Sequence, residues 1–447
     1  MRVTWMVAIL PLLPRAHIQT SLLVLILLIF AVLATSYSFV IPIFEAPDEN
    51  AHLARVNYYY VNRTIFDANL HHMPLGLYPP LYHATLAALL YASGTGPLFL
   101  PLKPQGYSPQ RFTFFNHSTL DRNLSSPGVL TFHALRLVSV LFGLGTVLVT
   151  YLTGKIVFHG KLRFALLAAA TNAFIPQFTF ISSALNYDSM VSFLSALSLY
   201  FLLAELSSPD FSLKTNLKCG LAGGAAMLTK YNGAFLLPLA PAALIVKRYF
   251  VGVGNNRKLA VSAVVCVGGM LLVAGWYYLE AFIFYGSFTR FPSPVRGFSS
   301  TFFTNGEFFE ILFRSFWFAF GWMNIWAPRV TYFVLALLSG FALVGVAYSL
   351  KESYNEDRAR LLLLSTCMIG VLIVLAGVIY FNFHFVEPQG RYMFPAISAI
   401  SVLLVEGLRK FGNRFLRNTS LFPVLLVVLI FFLDLGGLIF LSQLYSV

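Results

Sequence analysis

The sequence predicts an all-α polytopic membrane protein. Of its 447 residues, 58% are hydrophobic and only 11% are charged, whereas a soluble domain carries about 25% charged residues. Apolar stretches of about 20 residues, long enough to cross a bilayer as a helix, recur along the chain. Short basic links and longer polar loops separate them. These observations favour a single integral membrane domain that occupies residues 1–447.

About eleven of the apolar segments are predicted to span the membrane. The single stretches lie near residues 21–42, 131–155, 162–184, 188–206, 259–284, 329–350, 361–382, 391–408 and 421–443. The stretch 217–249 is too long for one helix, so we divide it near Thr229–Gly233 into two short spans. We expect the first span to be an uncleaved helix, because two prolines interrupt the apolar stretch before it.

Basic residues in the short links orient these predicted spans. Links rich in lysine and arginine face the cytoplasm, and with eleven spans every basic link falls on the side of the N-terminus. The links contain Lys155, Lys161, Arg163, Lys214, Lys218, Lys247, Arg248, Arg257, Lys258, Lys351, Arg358, Arg360, Arg409, Lys410, Arg414 and Arg417. The N-terminus is therefore predicted to be cytoplasmic and the C-terminus extracytoplasmic, in a plasma or inner membrane.

The extracytoplasmic side is predicted to collect the long loops and several polar turns. The loops comprise residues 43–130 and 285–328, and loops of this length are usually functional or disordered. The first is too rich in tyrosine, phenylalanine and leucine for disorder. Within it, Pro79 and Pro80 begin an apolar run that we interpret as a juxtamembrane helix. This convergence of polar segments on one side predicts an extracytoplasmic site.

The richest polar cluster directly follows the first predicted span and contains Glu45, Asp48, Glu49, His52 and Arg55. A carboxylate beside a membrane cavity could deprotonate an acceptor hydroxyl, or hold a divalent cation such as Mg²⁺, Mn²⁺ or Ca²⁺. The alternative is a plain helix start, where acidic residues are favourable. On one continuous helix, Asp48, His52 and Arg55 would share a face. A metal site built from Asp48, Glu49 and His52 is a further option.

The first loop offers four more candidate cavity residues. His71 and His72 could bind a metal or polarise a phosphate, or they could simply be solvated. Tyr78 could stack on a sugar ring or pack at the membrane interface, where aromatic residues are common. Tyr82 follows in the segment that begins the juxtamembrane helix. These residues are predicted to line the cavity rather than to carry out the chemistry.

Lys230 lies between two apolar stretches on the predicted outer side, where the charge rule does not require a lysine. Such a lysine should face a cavity or a counter-ion, and a lipid-linked phosphate is one such counter-ion. The alternative is a side chain that extends to the outer headgroups. Tyr231 follows it, and Asp188, at the start of another span, is either a cavity residue or a helix cap.

Arg391 begins a later span on the same side, within the segment Gln389–Pro395 that also contains Tyr392. A guanidinium group can bind phosphate oxygens with two parallel hydrogen bonds. The alternative is an ion pair with the neighbouring Glu387. Lys230 and Arg391 are therefore two cations that could bind a lipid-linked phosphate.

Several functional classes are disfavoured. The chain has no Walker loop, dinucleotide-binding glycine motif, CxxC or HExxH, so we expect an activated lipid rather than a bound nucleotide to supply the energy. The net charge of +13 fits cytoplasmic anchoring and anionic membrane lipids better than nucleic acid. The three cysteines lie in or beside apolar spans and imply no disulfide framework.

The order of the motifs resembles that of the polytopic type-C glycosyltransferases, which include protein mannosyltransferases and enzymes that transfer aminoarabinose to lipid A. The shared features are Asp48-Glu49, Pro79–Tyr82, Asn186-Tyr187-Asp188, Gly220–Gly223 before Leu228–Tyr231, and Trp276-Tyr277-Tyr278 before Tyr285-Gly286. Within this superfamily the chain most resembles a membrane family with three further motifs. They read here Pro47–His52, Ser315-Phe316-Trp317 with Phe320-Gly321-Trp322, and Gln389–Pro395.

This resemblance, which covers about residues 40–400, implies a sugar transferase that uses a polyprenyl-phosphate sugar on the outer face. Asp48 would be the catalytic base, with Glu49 supporting it or helping to hold a metal. Lys230, Arg391 and Arg55 would be the candidates for the donor phosphate. The acceptor would be a lipid, a glycan or a protein. One departure is that relatives often carry Arg-Asn after the Trp-Tyr pair, where this chain has Leu279-Glu280. If that arginine contacts donor in relatives, this chain must bind the phosphate with other residues.

A single displacement by the acceptor would invert the anomeric carbon. Two other classes compete with this interpretation: a flippase or transporter of lipid-linked sugars, and a non-catalytic scaffold that binds glycolipid. Transporters often contain inverted repeats and broken helices at the membrane midplane. The sequence shows no repeat, and its carboxylates lie at the predicted membrane boundary. The enzyme is therefore the favoured interpretation.

Overall fold

The computed structural model describes residues 15–65, 78–100, 102–105, 112–118, 123–289, 306–383 and 385–446, with side chains from residue 19 onward. The α-helices in chain order are α1 Arg15–Val40, α2 Glu49–Asn62, α3 Leu81–Ser93, α4 Pro127–Val157, α5 Leu162–Ala173, α6 Pro176–Ser182, α7 Tyr187–Ser207, α8 Leu213–Thr229, α9 Leu236–Val246, α10 Asn256–Tyr285, α11 Glu307–Trp317, α12 Arg329–Glu356, α13 Arg358–Asn382, α14 Ile397–Leu416 and α15 Leu421–Leu444. Two-residue strands β1 (Ala319–Phe320) and β2 (Ile325–Trp326) pair antiparallel.

Long apolar helices dominate the fold and confirm the predicted all-α membrane class. In the described ranges, nine helical segments are long and apolar enough to cross a membrane, or ten if α5 and α6 count as one span. The axes of α5 and α6 are bent by 63° at a short break. The sequence predicted one span over 162–184. The helix ends before Pro176, because proline removes a backbone donor and restricts the preceding residue.

The predicted count of eleven includes a short span from residue 217 to about residue 229. The structure forms a helix there, α8, but it has only 17 residues and begins with a polar turn that includes Lys214 and Lys218. A helix of this length is at the lower end of what spans a bilayer, about 17–25 residues. Eleven spans, and the orientation derived from them, therefore remain a prediction.

Close helix crossings hold the bundle together. A side chain at Gly407 of α14 would lie 2.0 Å from the backbone oxygen of Ala342 in α12, and one at Gly220 of α8 would lie 2.2 Å from that of Cys266 in α10. Small residues at such crossings let helix backbones approach, which is how membrane helices gain packing contacts. The loops and turns at the ends of these helices therefore extend from a closely packed frame.

The described parts of the first loop form a cap on one end of the bundle. Helices α2 and α3 pack together, and their buried face shares a hydrophobic cluster with Phe44, Phe132 and Leu185. Helix α3 begins directly after the proline pair, where the sequence predicted a helix, and its position beside the membrane remains a prediction. In the second loop, the described part forms α11 and the small β1–β2 hairpin. The cap brings the residues around Asp48 against the starts of α4 and α7.

Candidate active site

Four separate segments meet at the end of the bundle that carries the cap. Asp48 ends the loop between α1 and α2, and Asp188 lies in the first turn of α7. Lys230 links α8 to a 3₁₀ turn, Tyr231–Phe235, and Arg391 lies in a second 3₁₀ turn before α14. Successive spans run in opposite directions, which is why residues so far apart in sequence end on one face of the bundle.

Two carboxylates and two cations form an ion network there. The Arg391 Nη2 lies 2.6 Å from Asp48 Oδ2, and the Lys230 Nζ lies 2.5 Å from Asp188 Oδ1. The two pairs approach each other, with 3.8 Å between Arg391 Nη1 and Asp188 Oδ2. Arg391 also donates from Nε to the Gln389 side chain. The predicted donor-phosphate residues Lys230 and Arg391 thus lie together.

Asp48 is the accessible member of this network. Its side chain is 34% exposed, whereas that of Arg391 is only 4% exposed. Its φ of 68° places it in the left-handed region, which non-glycine residues rarely adopt without support from their surroundings. Its carboxylate makes no side-chain capping bond to α2. The carboxylate is therefore directed to Arg391 and to the open side of the site rather than to its own helix.

The charges around Asp48 keep it ionised. Burial alone would raise the pKa of its carboxyl, but the charge of Arg391 and its hydrogen bond, with help from Lys230, hold the pKa below the usual value. Burial lowers the pKa of Lys230 to about 8, although Asp188 counteracts this effect. The ammonium also lies 4.3 Å from the ring centre of Tyr187 and 4.5 Å from that of Tyr392. The pKa values of Asp48 and Lys230 both depend on the charges beside them, so a bound anion would change both.

A cavity of about 180 Å³ adjoins the network. Its lining residues are Tyr78, Lys230, Tyr231, Asn232, Thr289, Gly377, Val378, Tyr380, Phe381 and Tyr392. Lys230 and Asn232 make one part of the lining polar, whereas the residues of α13 contribute a largely apolar part. Arg391 is not a lining residue, but its guanidinium lies 5.6 Å from the Tyr392 ring centre. The cavity thus suits an amphipathic molecule whose anionic group lies at Lys230.

Glu49 does not face this cavity. Its buried carboxylate pairs with Arg136 of α4, with 2.8 Å from Nε to Oε1 and 2.6 Å from Nη2 to Oε2. It also accepts from the backbone N–H groups of Phe44 and Leu185. The sequence suggested a catalytic or metal-binding role beside Asp48. In the structure the adjacent side chains point apart because Asp48 precedes α2 and Glu49 begins it.

The Glu45 carboxylate also accepts hydrogen bonds from backbone N–H groups and does not face the cavity. It accepts from the N–H groups of Phe114 and Phe115, and its Oε1 lies 2.8 Å from Nε2 of His117. These bonds fasten a distant part of the first loop to the segment that leads to Asp48. The predicted cavity residue Tyr82 is likewise fully buried, with its hydroxyl 2.9 Å from that of Ser139.

The predicted shared face of Asp48, His52 and Arg55 is not formed. Asp48 lies outside α2, in a left-handed conformation. Buried His52 instead pairs its Nδ1 with Nε2 of His83 at 2.8 Å. Arg55 donates to the Tyr59 hydroxyl and to the Tyr78 carbonyl. Arg55 thereby positions Tyr78 at the cavity, and we do not propose it as a phosphate ligand.

The described side chains do not fit a divalent cation. In the described ranges, no group of three or more histidine, cysteine, aspartate or glutamate side chains could hold a metal ion. Arg391 engages Asp48, Arg136 engages Glu49, and His83 engages His52. His71 and His72 lie outside the described residues. We therefore derive no step through a metal.

Sequence reasoning missed Arg136, His83 and Tyr187. Arg136 had a recognisable signal, because a charged residue inside a predicted span is costly in a membrane and usually has a specific partner. His83 lies in the segment that begins with Pro79 and Pro80. Its separation of 31 residues from His52 gave no indication that the two side chains pair. Tyr187 is the first residue of α7, and only the fold shows that its ring contacts Lys230.

The buried histidine pair predicts that the protein loses stability on mild acidification. Burial lowers the pKa of His52 to about 3 and that of His83 well below its usual value, while both titrate near 6.5 when unfolded. The two neutral, buried histidines make their full contribution to the free energy of unfolding above pH ~6.5. This contribution declines as the pH falls towards the folded-state pKa, by up to about 1.4 kcal/mol per pH unit for each histidine. Thermal unfolding in detergent between pH 7 and 5 should show a shallower decline for the double variant His52→Gln/His83→Gln. An equal decline in both proteins would contradict this account.

Comparison with known proteins supports the same fold class. The family model described as dolichyl-phosphate-mannose-protein mannosyltransferase matches residues 128–284, about one third of the chain. Curated protein sequences give no significant match. Among solved structures, ArnT from Cupriavidus metallidurans bound to undecaprenyl phosphate is 16% identical, with a TM-score of 0.50 over 95% of this chain and 74% of that one.

A second solved structure, the apo oligosaccharyltransferase from Archaeoglobus fulgidus, is also 16% identical. Its TM-score is 0.51, over 95% of this chain and 56% of that chain. This chain therefore spans little more than half of the oligosaccharyltransferase. Together these findings confirm the resemblance to the type-C glycosyltransferase superfamily at the level of the fold. The narrower affiliation within that superfamily remains a prediction.

Proposed function

We propose that this protein is a membrane glycosyltransferase that moves a sugar from a polyprenyl-phosphate donor to a lipid, glycan or protein acceptor. The observation that carries the proposal is the amphipathic cavity with buried Lys230 at its polar part and α13 along its apolar wall. A lipid with a single anionic head matches this division. The similar fold of ArnT, whose structure contains undecaprenyl phosphate, supports the same donor class.

Lys230 and Arg391 are the proposed ligands of the donor phosphate. In the structure each is paired with a carboxylate, so that two positive and two negative charges balance. When the sugar leaves, the phosphate gains a negative charge on its former bridging oxygen. Preformed cations in a water-poor site stabilise such developing charge strongly. Arrival of the phosphate would also draw Arg391 away from Asp48 and raise the pKa of that carboxyl towards a value useful for a base.

Asp48 is the proposed general base. An acceptor hydroxyl or amine approaches from its exposed side, and the acceptor atom forms a bond to the anomeric carbon. The bond from that carbon to the phosphate oxygen breaks, and the oxygen keeps the electron pair. The acceptor proton passes to the Asp48 carboxylate. A single displacement of this kind inverts the configuration at the anomeric carbon.

The proposed site faces the extracytoplasmic side. In the predicted topology, the loop that forms the cap and the four site segments lie on the outer side, and the basic links face the cytoplasm. The donor would therefore be used on the outer face of the membrane, away from the cytoplasm and its nucleotide sugars. This placement is consistent with a lipid-linked sugar as the energy source.

A donor panel tests the proposed activity. Purified protein in nanodiscs should release free polyprenyl phosphate from at least one polyprenyl-phosphate sugar, faster with an acceptor than without one. A Lys230→Gln variant should bind that donor more weakly, whereas Lys258→Gln, at the surface near Asp210, should match the wild type. Movement of intact donor between leaflets, without any cleavage, would favour the flippase. Tight binding without movement or cleavage would favour the scaffold.

A further inference from the structure

The loop that carries Asp48 is strained. Phe44 and Asp48 have φ values of 70° and 68°, in the left-handed region that non-glycine residues seldom occupy. Such conformations persist only when surrounding contacts determine them. Without that support, relaxation of the loop would displace the Asp48 carboxylate from Arg391. The contacts that hold this loop are therefore part of the geometry of the base.

Arg136 provides several of these contacts from one buried position in α4. Its Nη1 donates to the carbonyls of Ser38 and Ile41, both at 2.7 Å, and its Nη2 donates to the carbonyl of Pro42 at 2.9 Å. The same guanidinium makes two bonds to the Glu49 carboxylate. Both side chains are fully buried. A single residue thus fastens the end of α1, the beginning of the loop and the beginning of α2.

Glu49 extends the connection to the second carboxylate of the site. Its Oε1 accepts the backbone N–H of Leu185 at 2.8 Å, three residues before Asp188. Its Oε2 accepts the N–H of Phe44 at 3.0 Å, inside the strained loop. The Glu49 carboxylate consequently bridges the segment that presents Asp48 and the segment that presents Asp188.

We propose that the Arg136–Glu49 pair is a positioning device that fixes the Asp48 carboxylate relative to the start of α7, where Asp188 lies. The catalytic consequence rests on the proposed function, whereas the structural consequence does not. Neither residue touches substrate in this account. Their effect on the reaction passes through the loop and through the start of α7.

A matched buried ion pair at the other end of the bundle separates positioning from general stability. Glu406 of α14 is fully buried and bonds to Ser349, Arg360 and Arg409, with distances of 2.5, 2.6 and 2.8 Å. A Glu406→Gln variant therefore removes a buried carboxylate of comparable connectivity without touching the site. Arg136→Lys and Glu49→Gln are the test variants, because each retains most of the side-chain volume.

Two readouts decide the proposal. In turnover assays, Arg136→Lys and Glu49→Gln should lower kcat by about 10- to 100-fold, the loss typical of a small misplacement of a reacting group, with little change in the KM for donor. Glu406→Gln should lower the Tm similarly and leave kcat unchanged. The second readout uses 5-fluorotryptophan, because the Trp322 indole donates to the Phe44 carbonyl at 3.1 Å. Its ¹⁹F resonance, assigned with Trp322→Phe, should shift in the two test variants and not in Glu406→Gln.

The proposal is overturned if Glu406→Gln loses as much kcat as the test variants, or if the test variants keep full kcat. A loss of kcat with an unmoved Trp322 resonance would also overturn it. If the wild-type protein cleaves no donor, the proposed function fails on its own. The Trp322 resonance then still determines whether Arg136 and Glu49 hold the loop.

Discussion

Replacement of Asp48 with asparagine should lower the rate of sugar transfer by about 10²- to 10⁴-fold, the usual contribution of a positioned general base. Asparagine tolerates the left-handed conformation better than most residues, so the backbone at φ 68° should be retained. The uncharged amide cannot accept the acceptor's proton. Initial rates with saturating donor and acceptor, measured in nanodiscs, give this result directly.

Donor binding separates this loss from misfolding. The Asp48→Asn variant should still bind the polyprenyl-phosphate donor, because Lys230 and Arg391 remain. Asp210→Asn is a suitable control, since Asp210 forms a surface ion pair with Lys258 away from the site, and it should retain wild-type activity. A rate for Asp48→Asn within about threefold of wild type would exclude general-base catalysis by this residue, whose expected contribution is far larger.

Replacement of Arg391 with glutamine should weaken donor binding by roughly 10- to 150-fold, which corresponds to about 1.5–3 kcal/mol for the loss of a charged hydrogen-bond partner. Its guanidinium is buried and is held at the site by Gln389 and Asp48, so the wild-type group has only to exchange the Asp48 carboxylate for the phosphate. Equilibrium binding of a polyprenyl-phosphate donor measures the change. Unaltered affinity would assign the phosphate to other residues.

The same Arg391→Gln variant should shift the pH dependence of kcat/KM. Arg391 contributes most of the charge that lowers the pKa of Asp48 against the opposing effect of burial. Its removal should raise that pKa, so the loss of activity on acidification should begin at a higher pH. Lys230→Gln should cause a smaller shift in the same direction, because Lys230 has a lesser effect on Asp48. An acid limb that stays in place in both variants would contradict Asp48 as the titrating base.

The sequence predicted the fold class well because membrane spans have a simple compositional signature. Apolar length alone located the helices, and the proline pair located the start of α3. The bend between α5 and α6 was missed, although Pro176 indicated it. Residues 162–184 are largely apolar on both sides of the break, so composition alone did not indicate two helices with different directions.

The sequence predicted those site residues that are charged where the predicted topology does not require a charge. Lys230 and Arg391 drew attention as charges at the predicted outer ends of spans, and the fold brings them together around Asp188. The role of Glu49 could not be inferred, because its partner Arg136 lies 87 residues away. Helical periodicity reports neighbours within a helix and carries no information about such a pairing. The prediction of a shared face also assumed that Asp48 belonged to α2. Its left-handed backbone conformation instead places Asp48 before the helix, where helical periodicity does not apply.

The most direct test of the account follows one turnover of a polyprenyl-phosphate sugar labelled at the anomeric carbon, with wild-type protein and Asp48→Asn compared in nanodiscs. The account predicts that wild type releases one polyprenyl phosphate for each sugar transferred, with inverted configuration in the product, and that Asp48→Asn binds the donor and leaves it intact. Retained configuration, or equal transfer by both proteins, would contradict a single displacement assisted by Asp48.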